Sequence, residues 1–308
     1  MDLLCAEGLP GTDDLKIEES LTTLDQWAQH AKSETERNFH HFRSDPAEFE
    51  NSEGYFRMLI LATVVYEDFG IRYNPRWIAP PQPMIENDHF FADAQDVFVH
   101  GVIGPRRMGT CSSMPVFYVA LGRRLGYPLK LVSTKGHLFV RWDTPSDRFD
   151  VDATGKGMNR YTHERYKQWP FPVTDEEIKA NGYFKSMTPA EELSAFLSIR
   201  AMCLSEAGKK PETIAAASAA CRFAPDWHQN HEILAWAQIQ YVGVSMDAIL
   251  NEKPTFTDHL EEIDYYVWSA QTISILKRAD QGIPERPLPI VMPGSNSENE
   301  MKIPRPTP

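Results

Sequence analysis

A thiol, an imidazole and a carboxylate recur in this sequence in an order that local structure could bring together: Cys111, His137 and Asp152. Such a set does acyl chemistry. A thiolate attacks an acyl carbon, the imidazole keeps it deprotonated and later protonates the leaving amine, and the carboxylate orients the ring. Cys111 lies in Gly109-Thr110-Cys111-Ser112-Ser113-Met114-Pro115. Ser112 and Ser113 are good N-caps, and Pro115 is tolerated only in a first turn. Val116, Phe117, Ala120, Leu121 and Leu125 then recur at helical spacing, and Gly126 with Pro128 stops the run. Cys111 is therefore predicted at, or one residue ahead of, a helix N-terminus, where free N–H groups and the helix dipole favour a thiolate. Arg106 and Arg107, just upstream, are expected to add positive charge. Taken alone, the segment also admits a small buried core cysteine.

Beyond Pro128 the hydrophobic period changes from helical to two. Leu129–Thr134, His137–Trp142 and Arg148–Asp152 are predicted strands, separated by Lys135-Gly136 and by Asp143-Thr144-Pro145-Ser146-Asp147. One helix followed by an antiparallel meander is an α+β arrangement. A turn centred near Pro145 pairs residues whose numbers sum to roughly 290. His137 and Asp152 are then expected side by side, about 5 Å apart on one face. Asp150 is expected near Phe139, as the weaker partner. Singly, His137 also reads as a structural histidine and Asp152 as a turn cap before Thr154-Gly155. Their joint order and register, after a cysteine at a helix start, favour a working set.

The rest of the chain must position these groups. Residues 1–13 read as a loose lead-in. A helix is predicted from near Asp14, with Ile17, Leu21, Leu24 and Ala28 on one face and Trp27 beside them. His40-His41 is placed in a polar connector, as a solvated pair rather than a metal site. A second helix is predicted over Glu53–Phe69, closed by Gly70. Ile71–Pro75 reads as extended, Pro75–Pro83 as an irregular loop, and Ala92–Ile103 as helical up to Gly104-Pro105.

Composition narrows the classes. The 308 residues are 42% hydrophobic and 24% charged, which fits a folded chain with room for two domains. A net charge of −12 with no basic run argues against a nucleic-acid partner. Cysteines at 5, 111, 203 and 221 form no disulfide framework and no C-x-x-C zinc pair. The N-terminus has no basic and apolar leader pattern, and the longest apolar run, around Met58–Tyr66, is too short for a bilayer. The expectation is a cytoplasmic, reducing setting with no membrane partner.

From Thr188 the pattern becomes helix, break, helix, opened by the capping-box spacing Thr188-Pro189-Ala190-Glu191. Gly208, Pro225 and a further helix from His228 to Tyr241 mark one and a half units at tetratricopeptide spacing, with Arg200 where that repeat prefers leucine. Too short to stand alone, this unit is expected to dock on the preceding domain. Cys203 and Cys221 read as small core residues, and His228-Gln229-Asn230-His231 as a solvated helix start. A last amphipathic helix is predicted from Asp258 to Lys277, and from Asp280 a proline-rich tail that is either disordered or wrapped on the surface without forming core. The predicted division is 1–187, an α+β domain; 188–279, a tetratricopeptide-like helical region; and 280–308, the tail.

The order of cysteine on a helix, histidine opening one strand and aspartate closing the next resembles the transglutaminase-like superfamily. The matching stretches are Gly109-Thr110-Cys111, Arg123-Arg124-Leu125-Gly126-Tyr127-Pro128, Gly136-His137-Leu138-Phe139-Val140-Arg141-Trp142 and Phe149-Asp150-Val151-Asp152-Ala153-Thr154. The resemblance implies a core related to papain-like cysteine peptidases. Glu67-Asp68-Phe69-Gly70-Ile71-Arg72-Tyr73-Asn74 further resembles the E-x-G-F-x-G-N segment of the SirB1-type branch, in which tetratricopeptide-like helices follow the domain. The likeness spans roughly residues 55 to 240 and departs in the loop Gly104–Met108. It implies Cys111 as nucleophile, His137 as base and then acid, and Asp152 as orienting carboxylate. Gln95 falls near the asparagine that begins the preceding helix in this branch, and its amide is a candidate oxyanion donor. The implied reaction is cysteine-dependent hydrolysis of a peptide or protein amide, or acyl transfer to an amine, through a thioester and without metal or organic cofactor. The rival expectation is a non-catalytic interaction protein that keeps the fold and binds a protein partner through its C-terminal helices.

Overall fold

The computed structural model describes residues 1–78 and 89–242. The predicted helix over 258–277, the tail from Asp280 and residues 79–83 of the predicted loop lie outside them. Helices α1 (Asp2–Ala6) and α2 (Ile17–Ser44) are followed by a 3-10 turn at Pro46–Phe49 and by α3 (Glu53–Thr63), which runs into a π-turn at Val64–Asp68. Next come β1 (Arg72–Tyr73), α4 (Ala94–Val97), α5 (Val99–Ile103) and β2 (Met108–Gly109), then α6 (Met114–Arg124). The chain continues through β3 (Leu129–Thr134), β4 (His137–Asp143) and β5 (Arg148–Val151), and through short α7 (His163–Tyr166) and α8 (Asp175–Asn181). Helices α9 (Pro189–Glu206), α10 (Lys210–Phe223) and α11 (His228–Val242) close the described part. Among the described residues no helix is long and apolar enough to cross a membrane.

The sheet is antiparallel in the order β3-β4-β5, and α6 packs on β3 and β4. Phe117, Val119 and Leu121 of α6 are buried with Leu129, Leu131 and Val140 in one core. Gly122 lets the layers close, since a Cβ there would meet Leu129 Cδ1 at 2.2 Å. The helix ends where expected, in a Schellman motif: Tyr127 N–H bonds Gly122 O at 2.8 Å and Gly126 N–H bonds Arg123 O at 3.1 Å, with Gly126 at φ +74°. The β4–β5 register pairs Val140 with Val151 and Arg141 with Asp150, a sum of 291. Asp150 is therefore not near Phe139. It opposes Arg141 and binds it, a correction of about one residue in the turn.

Several expectations upstream change. The first 13 residues are not a loose lead-in, because α1 buries Leu3, Cys5 and Ala6, and Leu9 follows them into the core. α2 does not stop before His40-His41 but carries both, exposed, near its end. Its polar second half contains no Gly or Pro, and Glu and Lys are good helix formers, so nothing breaks it before Pro46. The predicted helix Ala92–Ile103 is split by Phe98, which is extended at φ −117°, ψ 157°.

Thr188 and Glu191 form both halves of the predicted capping box on α9. Arg200 holds the N-terminal segment, its Nη1 donating to Cys5 O at 2.7 Å and Glu7 O at 2.8 Å. Glu192, buried on α9, accepts a two-pronged bond from Arg123 of α6 at 2.8 and 2.5 Å. The core runs without interruption from α6 and the sheet into α9 and α10. His228 and His231 are buried rather than solvated, and His231 Nε2 bonds Pro225 O at 2.8 Å. Among the described residues no group of three or more His, Cys, Asp or Glu is arranged to hold a metal.

Candidate active site

Cys111 sits in the turn leading into α6. Although the regular helix begins at Met114, its hydrogen bonding starts earlier, with Thr110 O accepting from Met114 N–H at 2.9 Å. Thr110 Oγ1 accepts from Ser112 N–H at 3.2 Å, and Ser113 Oγ accepts from Thr110 N–H at 3.0 Å. Ser113, as expected, stands at the N-cap position of α6, though its side chain makes no capping bond there; Thr110 caps the turn ahead of it, in which Cys111 lies. Both hydroxyls also donate to the backbone carbonyl of Asp96, at 2.8 and 3.0 Å. The Asp96 carboxylate is fixed in turn by Asn74 Nδ2 at 2.9 Å, Trp77 Nε1 at 2.9 Å and Arg106 Nη2 at 2.7 Å. Asp96 is therefore the post on which the cysteine turn hangs. Arg106 pairs with it and with Asp93, and Arg107 stacks over Trp27 at 4.3 Å.

His137 opens β4 and Asp152 follows β5. With the register at 291, Asp152 lies diagonal to His137 rather than opposite it, a displacement of two residues that keeps both on one face. His137 Nε2 donates to Asp152 Oδ2 at 2.8 Å, and both side chains are no more than 2% exposed. The other carboxylate oxygen accepts from Thr154 N–H at 2.9 Å and from the Thr154 hydroxyl. Tyr166, fully buried, adds an O–H bond to Oδ2 at 3.3 Å. Burial opposes ionisation of Asp152, but the bond and charge of His137 with the two Thr154 donors hold its carboxyl below the usual range. Burial likewise works against a charged His137 ring. The bond to Asp152 and the adjacent Cys111 outweigh it and push the imidazole up to about 9.

With Nε2 taken, Nδ1 is the ring nitrogen left for the sulfur. Cys111 interacts with the ring, raising its affinity for a proton, and its Sγ lies 3.9 Å from Gly136 O, the carbonyl just before His137. Of the four cysteines only Cys111 is partly open to solvent; Cys5, Cys203 and Cys221 are buried, and burial pushes the last two up to about 12. Trp169 closes over the imidazole with ring centres 4.8 Å apart. Phe171 covers Gly136, where φ is +72° and a Cβ would meet the ring at 2.6 Å. Cys111, His137 and Asp152 are thus brought together. For Gln95, the backbone N–H bonds Asp93 Oδ1 at 2.9 Å, and its amide makes no hydrogen bond among the described residues. Sequence reasoning missed Asp96, Thr110, Thr154, Tyr166 and Trp169. Only the D-x-T pattern at Asp152–Thr154 carried a signal, as a turn in which the acid accepts from the backbone two residues on.

A cysteine heading a helix, laid against an antiparallel sheet that carries a buried His–Asp pair, is the layout of papain-like cysteine folds. Residues 18–191, more than half of the chain, match the family model of the transglutaminase-like superfamily. The chain belongs to that superfamily, whose members are typically papain-like cysteine enzymes. Comparisons with curated proteins and with solved structures gave no match.

Proposed function

We propose that this protein carries out cysteine-dependent acyl chemistry on a peptide or protein amide. Cys111 is the nucleophile, His137 the base that takes its proton and then the acid that releases the amine, and Asp152 the carboxylate that fixes the ring. The observation carrying this reading is the buried 2.8 Å bond from His137 Nε2 to Asp152, which leaves Nδ1 for a solvent-reachable sulfur. The raised imidazole affinity for protons favours a thiolate–imidazolium pair near neutral pH. Water reaching the thioester gives hydrolysis, and an amine gives transfer; hydrolysis is the default because water is always present. The Glu67–Asn74 segment and the helices after Thr188 support placement in the SirB1-type branch with tetratricopeptide-like helices, in a cytoplasmic setting.

The test is the rate of Cys111 alkylation by iodoacetamide against pH, site-resolved by mass spectrometry. A paired thiolate reacts well below the ordinary thiol pKa of about 8.5, and His137→Ala slows it there. A wild-type profile midpoint near that ordinary value, unchanged by His137→Ala, would leave a scaffold that binds a partner through its C-terminal helices.

A further inference from the structure

Acyl transfer at Cys111 develops negative charge on the carbonyl oxygen, and a second donor must converge there with the Cys111 N–H. β1 is only two residues long, yet its parallel pairing sets Tyr73 opposite Gly109, with Asn74 N–H bonded to Gly109 O at 2.8 Å. Successive side chains of a strand leave in opposite directions. The Asn74 amide runs to Asp96. Tyr73 therefore leaves on the other face, and its hydroxyl interacts with Cys111, two residues beyond β2's end. Its ring is half-buried against the core, so the hydroxyl is delivered by a packed side chain.

Resting on the reading of Cys111 as a nucleophile, we infer that the Tyr73 hydroxyl, rather than the Gln95 amide, is the second oxyanion donor. The sulfur lone pair forms the C–S bond while the carbonyl π pair moves to oxygen. That oxygen receives hydrogen bonds from Cys111 N–H and Tyr73 O–H, and no proton is transferred to it. On collapse the C=O bond re-forms, the C–N bond breaks, and the amine leaves with the proton held by His137. Burial, with the neighbouring Cys111 and Asp152, keeps the phenol far above its usual pKa, so it remains a donor throughout.

Two probes separate this role from packing. Acylation of Cys111 by p-nitrophenyl acetate passes through an oxyanion, whereas alkylation by iodoacetamide needs only the thiolate. Tyr73→Phe is expected to slow acylation about 10²- to 10³-fold and to change the alkylation rate far less. Tyr73→His, which returns an N–H donor, is expected to recover part of the loss. The assignment is overturned if Tyr73→Phe acylates at the wild-type rate, if both reactions fall together, or if Phe outperforms His as a packing role requires. A wild-type protein acylated no faster than Cys111→Ala would instead remove the nucleophile reading, and the Tyr73 assignment with it.

Discussion

Two carboxylates, Asp152 buried and Asp150 nearly so, lie two residues apart at the end of β5, and they are answered by different cations. Asp150 sits inside the ladder, opposite Arg141, and takes its guanidinium fork at 2.5 and 2.9 Å. His163, half-exposed, only adds to that pair from outside, at 2.8 Å. Asp152 sits just past the ladder, where its backbone bridges to Asn159 and its side chain turns to His137. The geometries are alike and the chemistry is not. A guanidinium holds its charge at any working pH, so the Arg141–Asp150 pair can only brace. An imidazole can give up its proton and keep a second nitrogen for another partner, so the His137–Asp152 pair can work.

Removing each carboxylate should therefore fail differently. Asp152→Ala is expected to cost the largest factor, about 10³–10⁴ in acylation of Cys111, because the ring loses its orientation and its support as imidazolium. Its stability cost should be smaller, about 1–3 kcal/mol, since the ring can shed its charge rather than stay buried and unpaired. Asp150→Ala reverses the pattern. It strands the Arg141 charge and is expected to cost about 3–5 kcal/mol of unfolding free energy, while folded protein keeps the wild-type alkylation profile of Cys111. Urea melts beside acylation rates check both. Equal losses of stability, or a shifted Cys111 profile in Asp150→Ala, would erase the distinction.

The same contrast explains what could be read from sequence. Period-two alternation and the Pro145 turn revealed β3 to β5, and with them the His137–Asp152 couple. The true register differed from the expected one, yet the couple stood because a two-residue offset preserves the face. Asp150 was misplaced because that offset matters for a residue inside the ladder. Asp96 was invisible for another reason: it holds Thr110 and Ser113 through its main-chain carbonyl, which no residue type announces. Tyr73 lies in the stretch Ile71–Pro75, which reads as extended and is so at β1, but its parallel pairing with Met108–Gly109 left no pattern in the sequence. The burial of α1 was hidden likewise, since five residues cannot show a helical period.

Acidity sharpens the comparison further. His137 has its pKa raised from about 6.5 to about 9, so its contribution to stability is complete below the lower value and is lost as pH rises through the upper one. Asp152 is lowered, so its share is present above the unfolded value and is lost as pH falls through the folded one. The stability gap between wild type and Asp152→Ala should therefore be widest near pH 6 and narrow toward pH 9. A gap that stays flat or widens over that range contradicts a charged His137.

The smallest expected effect tests how much of the Asp152 environment is shared. Tyr166 lies against the ring of Phe139, centroids 4.3 Å apart and nearly parallel, and donates its long 3.3 Å bond to the same oxygen that His137 uses. Phenylalanine keeps the stacking and removes only the donor. Tyr166→Phe should thus cost about 1 kcal/mol, seen as a fall of about 2–4 °C in Tm. It should also move the imidazole slightly further up, since Oδ2, relieved of one donor, accepts more strongly from His137 Nε2. NMR titration of the His137 ring reads that shift directly. A downward movement would mean that Tyr166 supports the imidazolium rather than competing for its acceptor.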